Sequence, residues 1–154
     1  MSGRIIYQAP VGLLEIISEG NSLTAIRKYE PFPSDNDFSE DNITRETKRQ
    51  LREYFSGKRT VFDLPVSPHG TNFRRTVWNA LTGIPFGETR SYSDIASDIG
   101  KPSAKRAVGN AVGDNPILIV VPCHRVIRSD GGTGGFSAGT DMKQFLLKLE
   151  GHTI

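Results

Sequence analysis

The stretch ILIVVPCHRVIR, residues 117–128, holds the side chains with the clearest capacity for chemistry. It contains the only cysteine of the chain, Cys123, between Pro122 and His124. The apolar run suits a buried structural cysteine, whereas the proline before it and the His-Arg pair after it do not. Only a thiolate is a good nucleophile, so a reactive cysteine needs a neighbouring base or positive charge. The segment is therefore either a chance meeting of a cysteine and a histidine, or a nucleophile beside its base.

The relation between Cys123 and His124 depends on the backbone that carries them. Consecutive side chains of a strand point to opposite faces, and residues 117–121 are predicted to form a buried strand. Either Pro122 and Cys123 lie in a turn beyond the strand, or His124 reaches the thiol through a water molecule. A buried carboxylate that orients the imidazole would complete the arrangement. Glu150, at the end of an otherwise apolar helix, is a candidate, and a solvated helix end is the alternative.

The composition predicts one or two small globular domains in a reducing compartment. The chain has 154 residues, of which 36% are hydrophobic and 23% charged, as in ordinary globular proteins. No apolar run approaches the ~20 residues of a membrane span, and the N-terminus lacks the apolar core of a signal peptide. One cysteine and three scattered histidines form neither a disulfide nor a zinc-binding spacing. We expect a cytoplasmic protein without a membrane partner, a metal site or a cofactor.

Positive charge is concentrated in the second half of the chain. Residues 68–154 hold ten Lys or Arg against seven Asp or Glu, whereas residues 1–67 hold nine against ten. Between positions 100 and 128 the only acid is Asp114, and the bases are Lys101, Lys105, Arg106, Arg125 and Arg128. A basic patch beside the cysteine favours a polyanionic partner, and an ordinary solvated surface is an equal alternative.

The first part of the chain is predicted to form a strand meander and one helix. RIIYQA, LLEIIS and LTAIRKY are β-rich runs separated by proline and glycine turn signals. After an acidic loop, apolar and small residues recur at helical spacing up to Gly57: Ile43, Thr47, Leu51 and Phe55. The stretch DLPVSPHGTN is predicted to be a linker, because prolines favour extended or turning backbone.

The second part is predicted to be mostly helical. A first helix has Phe73, Val77 and Leu81 on one face, and Ser91 and Asp94 have the spacing of a capping box before a second. SAKRAVGNAVGDN is predicted to be a third helix, and MKQFLLKLEG a last one. Two short helices across a tight turn favour a helix-turn-helix. The expected fold class is α+β: an antiparallel sheet with a helix over residues 1–66, then a mostly helical domain with a helix-turn-helix of winged-helix type over residues 67–154.

The third of these helices is unusually rich in small residues. Each glycine inside a helix costs ~1 kcal/mol relative to alanine, and AKRAVGNAVG contains both Gly109 and Gly113. Small side chains allow close approach of a DNA backbone or tight packing of a neighbouring helix, and the sequence alone slightly favours packing. Arg106 lies among them, where a long cationic arm could reach into a groove.

Together these motifs resemble the O6-alkylguanine-DNA alkyltransferase family. The segment IVVPCHRVI resembles the active-site signature of that family, whose core is Pro-Cys-His-Arg-Val. The neighbouring motifs match in order and spacing: IPFG, SYSDIA, AKRAVGNAVGDNP, GGFSAG and LLKLEG. The resemblance covers residues 72–151 almost continuously. The first 65 residues resemble the variable N-terminal domain of the family in size and strand content, apart from LREYFSGK near the end of that domain.

The resemblance implies a role for each matched position. Cys123 would be the acceptor thiolate, His124 a base acting through water, and Glu150 the group that orients His124. Tyr92 would donate a proton to the departing guanine, and Asn115 would brace the segment before the cysteine. The backbone of Val126 and the side chain of Ser137 would read the guanine edges. Arg106 would fill the stack after the base is flipped out, and further positions would contact DNA in the minor groove: Tyr92, Ser93, Lys101 and Ser129.

The implied activity is a DNA repair reaction that consumes the protein. An alkyl group on guanine O6 is buried in the duplex, so the base must leave the stack at a cost of a few kcal/mol. The thioether formed on Cys123 resists hydrolysis, so we expect each molecule to act once. We also expect the protein to be a monomer and to be associated with the nucleoid. O4-alkylthymine is a further candidate substrate. Compared with some relatives, Leu118, Phe136 and Ala138 alter the surroundings of the alkyl group, and bulky adducts are less expected.

Two other classes of function remain open from the sequence. A helix-turn-helix regulator could use Cys123 as a redox or alkylation sensor, although the chain has no second cysteine to resolve a sulfenic acid. A cysteine hydrolase could use Cys123, His124 and Glu150 on an ester or amide, and would turn over many times without DNA. Only a methyltransferase becomes S-methylated when incubated with an O6-methylguanine duplex.

Overall fold

Three strands form an antiparallel meander at the start of the chain, in the order β1 (Ser2–Ala9), β2 (Gly12–Glu19) and β3 (Ser22–Lys28). Two-residue loops join them, because Ala9 pairs with Gly12 and Glu19 with Ser22. In the second loop Gly20 and Asn21 have φ of 56° and 68°, and two consecutive positive φ angles are what a type I′ hairpin turn requires. The predicted meander and its turn signals are confirmed.

The predicted first helix is also present, as α1 (Asn42–Phe55), and it packs on this sheet. Asp41 caps its N-terminus by accepting a hydrogen bond from the backbone N–H of Thr44 at 2.8 Å. Thr47, Leu51 and Tyr54 are buried on the face towards the sheet. Gly57, with φ of 77°, follows the end of the helix, in the left-handed conformation that glycine adopts without strain.

The computed structural model describes residues 2–130 and 139–152. The chain folds as two compact units, Met1–His69 and Gly70–Ile154. The first half of the predicted linker is bonded to the first unit, since Leu23 N–H donates to the Pro65 carbonyl and Ser67 N–H to the Leu23 carbonyl, at 2.8 and 2.9 Å. Within the described ranges no helix has the length and apolar character needed to cross a membrane.

Four helices make up most of the second unit: α2 (Asn72–Leu81), α3 (Tyr92–Asp98), α4 (Lys105–Gly113) and α5 (Thr140–Leu149). Helices α2, α3 and α4 pack against one another through buried side chains such as Val77, Ile95 and Val108. The indole N–H of Trp78 donates to the Ala111 carbonyl at 2.8 Å, which ties α2 to α4. The capping box predicted at Ser91 and Asp94 is present, and the predicted α+β fold class is confirmed.

A short parallel pair of strands, absent from the sequence prediction, links α3 to the cysteine segment. Strands β4 (Arg90–Ser91) and β5 (Val126–Ile127) pair so that Arg90 lies opposite Val126. Helix α3 begins at Tyr92, directly after β4, and Cys123 lies three residues before β5. The pairing therefore brings the start of α3 beside the segment that carries the thiol.

The strand predicted over residues 117–121 is wrong, because this segment is a tight turn. Val120 N–H donates to the Leu118 carbonyl and Val121 N–H to the Ile117 carbonyl, at 2.8 and 3.1 Å. Ile119 has φ of 72°, a conformation that a β-branched residue rarely adopts. The apolar run is buried, as its composition suggests, but it folds back on itself instead of extending.

Candidate active site

Cys123 begins a single 3₁₀ turn, Cys123–Arg125, that follows the buried turn. Its backbone N–H donates to the Val121 carbonyl at 2.8 Å, and the N–H of Arg125 donates to the Pro122 carbonyl at 3.0 Å. Cys123 is only 1% exposed. The turn after Pro122, which the sequence offered as one arrangement, is present in the structure.

Asn115 holds the two ends of the preceding turn together. Its side-chain amide donates to the Val121 carbonyl at 2.8 Å and to the Ile117 carbonyl at 3.3 Å, while its oxygen accepts from the Ile117 N–H at 3.0 Å. All three contacts are buried, where an unmade hydrogen bond costs about 1–3 kcal/mol. Asn115 thus fixes the backbone that delivers Cys123.

His124 and Glu150 form a buried pair. The Nε2 atom of His124 lies 2.7 Å from Oε2 of Glu150, and both side chains are fully buried. An ionised carboxylate can only accept, so the imidazole proton belongs on Nε2. That leaves Nδ1 as the basic nitrogen, and this buried atom has no hydrogen-bond partner within the described residues. Glu150 is therefore buried against the imidazole of His124, and the alternative of a solvated helix end is wrong.

Arg125 belongs to this buried cluster and not to a basic surface. Its Nε and Nη2 atoms donate to the two oxygens of Glu150 at 2.7 and 3.0 Å, and Nη1 donates to the Ile84 carbonyl at 2.7 Å. The residue is 6% exposed. The prediction that Arg125 belongs to the basic patch is wrong. Its charge is neutralised by the buried carboxylate of Glu150, which its position in the sequence near Lys101 and Arg106 did not reveal.

Burial sets the resting protonation state of the site. It raises the pKa of the Cys123 thiol to about 11, and a hydrogen bond from Asn115 and the nearby Lys143 oppose that rise only in part. Burial likewise lowers the pKa of His124, against the attraction of Glu150. In the free protein at neutral pH, Cys123 is therefore a neutral thiol and His124 a neutral imidazole. The thiol proton must leave the sulfur when Cys123 reacts.

Lys143 is a buried cation that the sequence analysis did not single out. It lies on α5, has no exposed surface, and its Nζ donates to the Val126 carbonyl at 2.6 Å. Burial lowers the pKa of this ammonium group to about 8. A carbonyl oxygen has two lone pairs, so Val126 retains one acceptor position in addition to the one that Lys143 uses. The amphipathic pattern of α5 places position 143 on the buried face and was the available signal.

The side chains expected to meet DNA lie on the outside of the second unit. Lys101, Arg106 and Ser129 are exposed, and Tyr92 and Ser93 are half-buried. Lys105 adds an exposed cation beside Arg106. Most of these positions lie on α3, on α4 or between the two helices, whereas Ser129 follows β5.

The two glycines of α4 face open space more than neighbouring protein. Among the described residues, a Cβ built on Gly113 meets nothing within 4 Å, and one on Gly109 meets the ring of Tyr92, at 3.9 Å. Tight internal packing, which the sequence slightly favoured, does not explain these two positions, although Ala111 is buried. The α4 backbone at these two glycines is instead accessible from outside the protein.

Several predicted positions bear on the alkyl group and the guanine edge. Leu118 is buried in the turn before Cys123. Ser137, Phe136 and Ala138 lie outside the described residues. No cluster of three His, Cys, Asp or Glu side chains that could hold a metal ion occurs in the described part of the chain.

Two family models match adjoining parts of the chain. Residues 72–152 match the DNA binding domain of 6-O-methylguanine DNA methyltransferase, and residues 4–68 match its ribonuclease-like domain. Between them these matches cover both compact units, including the first, which the motif resemblance hardly reached.

Individual relatives and solved structures agree with these models. A methylated-DNA--protein-cysteine methyltransferase of Methanosarcina acetivorans is 44% identical over 150 residues, which is 95% of this chain and 96% of the relative. The crystal structure of Mycobacterium tuberculosis O6-methylguanine methyltransferase has a TM-score of 0.85 at 42% identity and covers 97% of this chain and 93% of its own. A structure of Mycobacterium tuberculosis OGT in complex with DNA also has a TM-score of 0.85, at 43% identity, covering 94% and 90%.

Proposed function

Because this chain belongs to the 6-O-methylguanine DNA methyltransferase family, we propose that it repairs DNA by taking the methyl group of O6-methylguanine onto Cys123. The observation that carries this function is the buried arrangement of Cys123, His124 and Glu150 in a chain with one cysteine. The partner is double-stranded DNA that contains an alkylated guanine. The site of action is the cytoplasm, at the nucleoid.

The transfer is a direct displacement at carbon. The sulfur of Cys123 forms a bond to the methyl carbon while the bond from that carbon to O6 breaks, and the electron pair stays on the guanine. The thiol proton leaves the sulfur, and the guanine takes up one proton. The products are an S-methyl thioether and an unmodified guanine, so no oxidant, metal or cofactor enters the balance.

His124 takes the thiol proton in this scheme. Its Nδ1 is the basic nitrogen, since Nε2 faces Glu150, and a water molecule between Nδ1 and the sulfur completes the path. The high pKa of the resting thiol makes such a base necessary at neutral pH. Tyr92, at the start of α3, donates the proton to the departing guanine and regains one from solvent.

Recognition requires that the damaged base leave the duplex. The bare face of α4 approaches the minor groove, and Arg106 occupies the space that the flipped nucleotide leaves. Lys101, Ser93 and Ser129 contact the DNA beside it. The carbonyl of Val126, held by Lys143, and Ser137 read the guanine edge. In this assignment residues 67–154 hold both the chemistry and the recognition.

Stoichiometry tests the proposed function. A duplex with one O6-methylguanine, in excess over protein, should yield repaired DNA only up to the amount of active protein. Intact mass should rise by one methylene group, and peptide mapping should place it on Cys123. Cys123→Ser should bind the duplex and transfer nothing measurable. Repair that continues beyond the protein supplied, or a methyl group on another residue, would contradict the proposal.

A further inference from the structure

Every nitrogen of the Arg125 guanidinium has an acceptor in the buried site. Nε and Nη2 bond the two oxygens of Glu150 and Nη1 bonds the Ile84 carbonyl. The guanidinium carbon also lies 5.8 Å from the centre of the Phe86 ring. Arg125 therefore joins the 3₁₀ turn, the loop of residues 84–87 and the end of α5 at one carboxylate.

Glu150 consequently accepts hydrogen bonds from two side chains, Arg125 and His124, with a single charge. Its Oε2 accepts from Arg125 and faces Nε2 of His124, and its Oε1 accepts from Arg125 and, at 3.5 Å, from the Gly87 N–H. The bidentate ion pair with Arg125 is neutral as a unit. A proton added to His124 would then be an uncompensated positive charge in a buried site, which is costly.

The other charged groups near His124 also favour its neutral form. The charged side chains around it are Glu150, Arg125 and Lys143, and both cations lower the pKa of the imidazole. The neighbouring thiol of Cys123 is neutral at rest, because its pKa is raised. Without Arg125, the full charge of Glu150 would be available to stabilise an imidazolium, which has no lone pair to accept a proton.

We propose that Arg125 is a positioning residue that keeps His124 neutral with its proton on Nε2, so that Nδ1 stays available to accept the thiol proton. The effect on methyl transfer rests on the proposed function, whereas the protonation state of His124 does not. A purely structural ion pair would stabilise the unit without controlling which state of His124 is populated.

The protonation state is measured first, by the nitrogen chemical shifts of the His124 imidazole in the intact wild-type protein. Between pH 6 and pH 8 the shifts should be those of a neutral ring protonated on Nε2. In Arg125→Met the pKa of His124 should rise by about one unit or more, and Arg125→Lys should restore part of the wild-type value. A wild-type ring that is doubly protonated at pH 7 would overturn the proposal without any variant, so it stays testable if Arg125→Met does not fold.

Single-turnover transfer from a methylated duplex at saturating protein gives the second measurement. Arg125→Met should be slowed more at pH 6.5 than at pH 8.5, because a raised pKa of His124 leaves less of the neutral base at the lower pH. Trp78→Phe, which removes a buried hydrogen bond elsewhere in the second unit, serves as a destabilised control whose ratio of rates should match wild type. An equal loss at both pH values in Arg125→Met would leave the residue a structural role only. Failure of wild type to transfer at all would contradict the proposed function, and the nitrogen shifts would still decide the role of Arg125.

Discussion

Gly109 of α4 lies against the ring of Tyr92 at the start of α3. A Cβ on the glycine would be 3.9 Å from Cδ1 of the ring and 4.0 Å from Cε1, which is ordinary van der Waals contact. The free protein therefore has room for a methyl group at this position. The packing of Tyr92 therefore does not require glycine at this position.

Gly109→Ala should separate stability from DNA binding. The substitution removes the helix cost of glycine and should raise the free energy of unfolding by about 0.5–1 kcal/mol, as measured by urea denaturation. Affinity for a methylated duplex should fall, because the added methyl group projects from the face that meets the groove. Asn79→Ala, on the exposed surface of α2, is the control and should leave affinity unchanged. Unaltered affinity in Gly109→Ala would show that DNA does not approach this face closely.

Tyr92→Phe should slow the chemistry and spare binding. The change removes one proton donor and keeps the ring that contacts Gly109. General acid assistance typically contributes ~10²–10⁴-fold, so the single-turnover rate should fall by a factor in that range while the dissociation constant for duplex changes by only a few fold. A rate equal to wild type would exclude the phenol from the reaction.

Arg106→Ala should distinguish duplex repair from reaction with the free base. Arg106 is exposed on α4, and its proposed role is to occupy the space that a flipped nucleotide leaves. Transfer from a duplex should drop strongly, and transfer from free O6-methylguanine should stay near wild type. Lys105→Ala removes the adjacent exposed cation and should weaken duplex affinity without this selective loss. Equal losses with both substrates would rule out a flipping role for Arg106.

The lowered pKa of the buried Lys143 predicts a specific dependence of the free energy of unfolding on pH. Its pKa is about 8 in the folded protein, against an ordinary value of 10.5. Above the ordinary value both folded and unfolded states are neutral, and as pH falls towards 8 the unfolded state gains the proton first, so stability is lost over that window. The free energy of unfolding of wild type minus that of Lys143→Met should therefore increase from pH 8 to pH 10.5, by no more than about 3 kcal/mol. Lys148→Met, on the exposed side of α5, should give a flat difference, and a flat difference for Lys143→Met would contradict the assignment.

The fold could be predicted where local chemistry and hydrophobic periodicity agree. The loop at Gly20 and Asn21 and the capping box at Ser91 and Asp94 are determined by a few neighbouring residues, and both are present. The strand predicted for residues 117–121 was wrong because a buried apolar segment has the same composition whether it is extended or forms a turn. The turn depends on the three hydrogen bonds that the Asn115 side chain makes, two as donor and one as acceptor, and on the positive φ of Ile119. Neither has a local sequence signal.

The site was predictable only as far as motifs could identify its residues. Glu150 was found because a carboxylate stands out in an apolar helix, and the structure buries it against His124. Arg125 and Lys143 were missed as site residues because a charged side chain is assumed to face solvent unless a partner is known. Their partners are the Glu150 carboxylate and the carbonyls of Ile84 and Val126, and backbone oxygens cannot be located from a sequence.

The near-complete burial of Cys123 determines how long an unused molecule lasts. A protein that reacts once is also consumed by any stray electrophile or oxidant that reaches its sulfur, and each such event removes one unit of repair capacity. Cys123 is 1% exposed, so such reagents have little access to its sulfur. The thiol is also protonated at neutral pH and is therefore a poor nucleophile. A buried and protonated thiol therefore favours keeping the single reaction of each molecule for alkylated DNA.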